Sequence, residues 1–166
     1  MTMPAERSPA RLLARDSEHF VAVWHETLIS VFRGVCSLQH VLNISNACKG
    51  LLAEGRGVTY VGVIERSSPA PTETVRAELA TWSRDVASQM TIAALVAEGG
   101  GFKNALVRGV GVALTLLAPH KVPFKFTGSV EEATALLAPF LPPKAGGARE
   151  LTLAIAEVRQ RWERGL

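Results

Sequence analysis

The sequence predicts an α/β domain: a mixed β-sheet covered by helices, opened by an antiparallel hairpin and closed by an appended C-terminal helix. Three observations carry that prediction. Two apolar runs, FVAVW and LISVF, are separated only by His25, Glu26 and Thr27, which suits a hairpin. Downstream, the β-branched stretches VTYVGVI and TIAALVA alternate with segments of helical periodicity, an order that requires parallel neighbours joined by right-handed crossovers. The 166 residues are 48% hydrophobic and 20% charged, enough apolar material for one core.

Residues 1–17 contain Pro4, Pro9 and scattered charges and read as a flexible arm, with a main domain over residues 18–141. After the hairpin, Ser37 is placed to cap a helix over SLQHVLNISNACKGLLAEG, in which Leu38, Val41, Leu42, Ser45, Cys48, Leu51 and Leu52 share one face. VTYVGVI then reads as a strand buried on both sides. Thr72 caps the next helix, marked by Val75, Leu79, Trp82 and Val86. TIAALVA gives another buried strand, Gly99-Gly100-Gly101 a turn, and FKNALVRGVGVALTLLA a helix apolar on nearly every side. VPFKFT is the last strand, followed by a helix in SVEEATALLAPFL whose Ser129 and Glu132 have capping-box spacing. Residues 142–147 read as a Pro/Gly linker. Residues 148–166 form an amphipathic helix whose Leu151, Ile155, Val158 and Trp162 serve domain docking or oligomerisation.

The 18 basic and 15 acidic residues interleave, so the net charge of +3 does not describe the concentrated basic surface that nucleic-acid binding uses. No stretch reaches the roughly 20 apolar residues of a membrane span, and the opening residues lack an apolar core of secretory length. A cytoplasmic protein without a transmembrane segment is expected. His19, His25, His40 and His120 never fall at metal-ligand spacing, and Cys36 and Cys48 cannot supply a zinc site or a disulfide framework, so no metal and no cofactor are expected. Glu65 and Glu98 follow successive strands, where an α/β sheet presents its ligand- or partner-binding edge. The glycine turn lacks the spacing of a nucleotide-binding loop and reads as a tight bend.

This element order, together with VTYVGVIERSS before the second main helix and the ending VPFKFTGSVEEATALL, resembles the STAS domain, the fold of bacterial anti-sigma factor antagonists and SpoIIAA-like regulators. The resemblance covers about residues 18–141. It implies a phosphorylatable hydroxyl at Ser67 or Ser68, in the turn where phosphoswitch members carry an Asp-Ser-Ser/Thr-Gly-like sequence. Here Arg66 stands in place of the acidic residue, and Ser68-Pro69-Ala70-Pro71 in place of the Gly-Leu that follows.

The expected function is therefore that of a non-enzymatic regulatory or scaffold protein in bacterial signalling. Its expected partners are another protein, a regulator or kinase-like one, and a second copy of itself in a homodimer. The partner-binding rim comprises Glu65, Arg66, Ser67 and Ser68, with Gly100 and Phe102 of the neighbouring glycine bend. The alternatives are a sensor of an apolar or lipid-like ligand held between the helices around 101–118 and 130–141, and a hydrolase or transferase using Ser67, Ser68 or Cys36. The latter lacks an identifiable base and oxyanion site.

Overall fold

A computed structural model describes residues 8–86, 89–99 and 124–166. The predicted helix in 102–118 lies outside these residues, as do Gly100, Gly101 and Phe102. Six strands form one sheet in chain order: β1 (Arg11–Arg15), β2 (His19–Trp24), β3 (Thr27–Phe32), β4 (Thr59–Ile64), β5 (Ile92–Ala97) and β6 (Phe124–Thr127). The first three pair antiparallel and the last four parallel, which is the mixed α/β sheet expected. The hairpin of β2 and β3 closes on His25-Glu26, with His25 in the left-handed region at φ 51°.

The helices are α1 (Leu38–Ala53), α2 (Glu73–Val86), α3 (Val130–Leu137) and α4 (Ala148–Glu163). Right-handed crossovers between parallel strands put α1 and α2 on one face of the sheet. There they cover Val21, Val23, Leu28, Tyr60, Ala93 and Leu95. After β6 the chain passes to the opposite face, where α3 and α4 cover Phe20, Ile29, Val31, Val61, Val63 and Val96. The alternation of these two sets along each strand is the period of two that a sheet buried on both faces demands. Gly62 marks a close approach: an added Cβ would lie 2.8 Å from both Leu95 Cδ2 and the Tyr60 hydroxyl. That hydroxyl reaches across to Ser30 Oγ at 2.6 Å.

The caps show where sequence and structure agree and where they part. Ser37 Oγ accepts from the His40 amide, and His40 Nδ1 accepts from the Ser37 amide, so α1 has a complete capping box with a histidine in the reach-back role. Thr72 Oγ1 accepts from the Val75 amide at 3.4 Å, as a cap of α2. Ser129 accepts from the Glu132 amide, but the Glu132 carboxylate accepts from the Gly128 amide, one residue before the cap.

Three boundaries need correction. Residues 11–15 are not part of a free arm: they form β1, paired with β2 across a bulge between Leu12 and Ala14. The strand is short, with only Leu12 and Ala14 half-buried between exposed Arg11, Leu13 and Arg15, so it carries little apolar signal and suits a sheet edge. The segment 142–147 is not a loose linker. It holds a 3-10 turn at Pro143–Ala145 with Ala145 in the core, and Gly146 and Gly147 at φ 85° and 90° set the entry to α4. Leu151, Ile155, Val158 and Trp162 are all buried against the chain's own sheet, which makes α4 integral to the domain and leaves none of that stripe for a second subunit. Burying each such large side chain stabilises by roughly 1.5–3 kcal/mol.

Candidate functional site

The register of the parallel strands aligns Phe32, Ile64 and Ala97, so the residues that follow them, Arg33, Glu65 and Glu98, emerge side by side at the carboxyl end of the sheet. The alternation that puts Val31, Val63 and Val96 under α4 sends these three side chains the same way. Arg33 donates to both Glu65 oxygens, at 2.7 and 3.2 Å, and to Glu163 at 3.3 Å. Arg159 of α4 donates to both oxygens of Glu98, at 2.7 and 3.0 Å, and to Glu65 at 2.9 Å. The Arg33 guanidinium also lies 4.0 Å over the Trp162 ring, a cation–π contact. Burial pushes the Glu65 carboxyl up, but the hydrogen bond from Arg33 and the charges of Arg159 and Arg33 outweigh it and hold the group below the usual glutamate range. The hydrogen bond to Glu98 raises Arg159 in turn.

Glu65 is thus 9% exposed and committed to two arginines, which removes it from the partner-binding rim expected of it. Ser68 is also withdrawn. It is 4% exposed and donates through Oγ to the Gly34 carbonyl at 2.8 Å, so it is neither a docking residue nor an accessible phosphate acceptor. The reason is a β-turn over 65–68, closed by the Ser68 amide on the Glu65 carbonyl, that folds the second serine back onto the segment after β3. The serines consequently precede α2 rather than open it, since α2 begins at Glu73. Ser67 stays exposed and donates to the Arg33 carbonyl at 2.9 Å. Arg66 is exposed and packs over Gly99, whose φ of 94° and crowding by the Arg66 side chain suit glycine alone. With the Glu98 amide bonded to the Ile64 carbonyl, the 65–68 turn and the start of the glycine bend lie side by side, as expected; Gly100 and Phe102 fall outside the described residues.

The structure adds residues that sequence reasoning assigned to the core. In α1 the buried face is His40, Val41, Ile44, Cys48 and Leu51. Leu38 and Leu42, expected on that face, are 48% and 50% exposed, and Val35 just before the helix is 46% exposed. Through the bonds of Ser67 and Ser68 to the carbonyls of Arg33 and Gly34, this apolar stripe adjoins the Arg66–Ser67 corner.

Among the described residues the nucleophile candidates have no activating partner. Burial pushes the Cys36 thiol up to about 12 and the Cys48 thiol to about 11, and both serine hydroxyls are spent on carbonyls. A cleft of about 240 Å³ between the sheet end, α3 and α4 is lined by Glu98, Glu131 and Arg159 together with Val130, Ile155 and Ala156; the ligand pocket expected between the helices around 101–118 and 130–141 involves residues outside those described. Among the described residues no cluster of His, Cys, Asp or Glu is placed to hold a metal, and no helix is long and apolar enough to cross a membrane. Comparison of the chain with family models, with curated proteins and with solved structures finds no match in any of the three.

Proposed function

We propose that the protein is a STAS-like regulatory or scaffold protein, acting in bacterial cytoplasmic signalling by docking another protein rather than by catalysis. The observation that carries this reading is the exposure of Val35, Leu38 and Leu42, on and just before α1, near the exposed Arg66–Ser67 corner, at the carboxyl end of a parallel sheet where α/β proteins present their binding surfaces. The docking surface on this reading is Arg66, Ser67 and the outer face of α1, with the Glu65–Arg33–Glu98–Arg159 network behind it as a rigid support.

The test is capture of the native partner by wild-type protein and by Leu42→Asp, Arg66→Glu and Leu136→Asp. Leu136 is a control on α3, across the sheet and 40% exposed. All three positions are exposed, so folding should change by no more than about 0.5 kcal/mol. Leu42→Asp and Arg66→Glu should abolish capture and Leu136→Asp should spare it. Capture lost only in Leu136→Asp would overturn the assignment.

A further inference from the structure

Asp16, between β1 and β2, belongs to none of the groups described so far, yet it touches both sides of the molecule. Its backbone carbonyl accepts from Trp162 Nε1 of α4 at 2.7 Å. Its Oδ1 accepts from the amides of Glu18 and His19, at 2.7 and 2.8 Å, and its Oδ2 lies 2.6 Å from His40 Nε2. His40 in turn accepts the Ser37 amide at Nδ1, 3.1 Å away, inside the capping box that opens α1. These bonds fix the tautomer: Nδ1 is an acceptor, so the ring proton sits on Nε2 and is donated to Asp16.

We propose that this run of bonds, Trp162 to Asp16 to His40 to Ser37, couples the seating of α4 on one face of the sheet to the order of the first turn of α1 on the other. The two-state element is the imidazole. With Asp16 in place the proton is held on Nε2 and the box is closed. With Asp16 displaced, the proton can pass to Nδ1, where it opposes the Ser37 N–H and opens the box. The tilted ring of His19 packs against His40, ring centres 4.6 Å apart, and limits the room in which the imidazole can swing. Leu38 is the first residue of that turn, so a partner seated there and the last turn of α4 would each stabilise the other. That regulatory consequence rests on the docking surface proposed above; the relay does not, so failure of Leu42→Asp to weaken capture would remove the first and leave the second.

The test is amide hydrogen exchange on the full chain, read at Ser37 and His40 relative to α2 amides in the same sample, so that a global change in stability cancels. Trp162→Phe keeps a ring against Phe20 and removes the N–H that Asp16 accepts. It should raise exchange at Ser37 and His40 about fivefold, the size of coupling that linked neighbours show. Asp16→Asn cannot satisfy the Glu18 and His19 amides and the His40 Nε2 proton together. It should raise the same rates at least as much, move the His40 ¹⁵N signals toward the Nδ1-protonated pattern, and erase the effect of a further Trp162→Phe. Exchange that rises in Trp162→Phe only over 16–19 and the last turn of α4 would overturn the relay, as would a Trp162→Phe effect that persists in the Asp16→Asn background. Trp162→Phe alone decides the matter if Asp16→Asn does not fold.

Discussion

His19 is buried to 1% exposure beneath Phe32 and His40, and its Nε2 has no hydrogen-bond partner among the described residues. Burial, only partly offset by the Asp16 carboxylate, lowers it from the ordinary histidine value of 6.5 to about 3. The sign follows: between those values the unfolded chain binds a proton that the folded chain refuses, so stability is full above pH 6.5 and falls as the solution is acidified. At pH 4 the unfolded state is favoured over about 2.5 pH units at about 1.4 kcal/mol each, a loss on the order of 3 kcal/mol. His19→Phe keeps an aromatic ring between Phe32 and His40 and abolishes the titration. Urea unfolding of both proteins at pH 7 and pH 4 should show the wild type losing about 3 kcal/mol more than the variant over that interval. Losses equal within about 0.5 kcal/mol would refute the reasoning, because groups distant from His19, such as Glu65, titrate in both proteins and cancel in the difference.

Three further outcomes are expected. Arg159→Met should cost about 2–3 kcal/mol in chemical denaturation, since it leaves Glu65 and Glu98 short of a charged donor at the sheet end. Because Glu65 is held below its ordinary value of 4.5, its share of stability is present above that pH and is lost as the solution is acidified through the lowered value; Arg159→Met should flatten the acid limb of the stability profile there. Gly62→Ala forces a methyl group into contacts 2.8 Å from Leu95 and Tyr60 and should cost roughly 1–3 kcal/mol by thermal unfolding. Ser129→Ala removes the cap of α3 and should cost about 1 kcal/mol, whereas Glu132→Gln, whose amide oxygen can still accept from Gly128, should cost less.

The α/β architecture was legible because its signals are local. VTYVGVI and TIAALVA carry their own β-branched runs, and Thr72 and Ser129 stand directly before the helices they cap. What was illegible depends on distant partners. Leu38 and Leu42 share a helical stripe with Val41, and periodicity alone cannot say which flank of α1 meets the sheet. Ser68 is buried by the carbonyl of Gly34, and Arg159 meets Glu65 from 94 positions away, pairings that exist only once the strands are aligned. The adjacency of Glu65 and Glu98 was readable, since each ends a parallel strand. That Arg33 and Arg159 would take both carboxylates out of circulation was not.

The strands lie in the sheet in the order in which they are synthesised, β1 through β6. Each new strand is laid down beside the one before it, so the sheet can widen as the chain leaves the ribosome, with little long-range searching. The exception is α4, which returns from the far end of the chain to set Trp162 edge-on against Phe20 of the second strand. Together with α3 it covers the apolar face made by Phe20, Ile29, Val31, Val61 and Val63. A truncation that stops before α4 therefore uncovers the apolar surface that Leu151, Ile155, Val158 and Trp162 bury, and should be prone to aggregate.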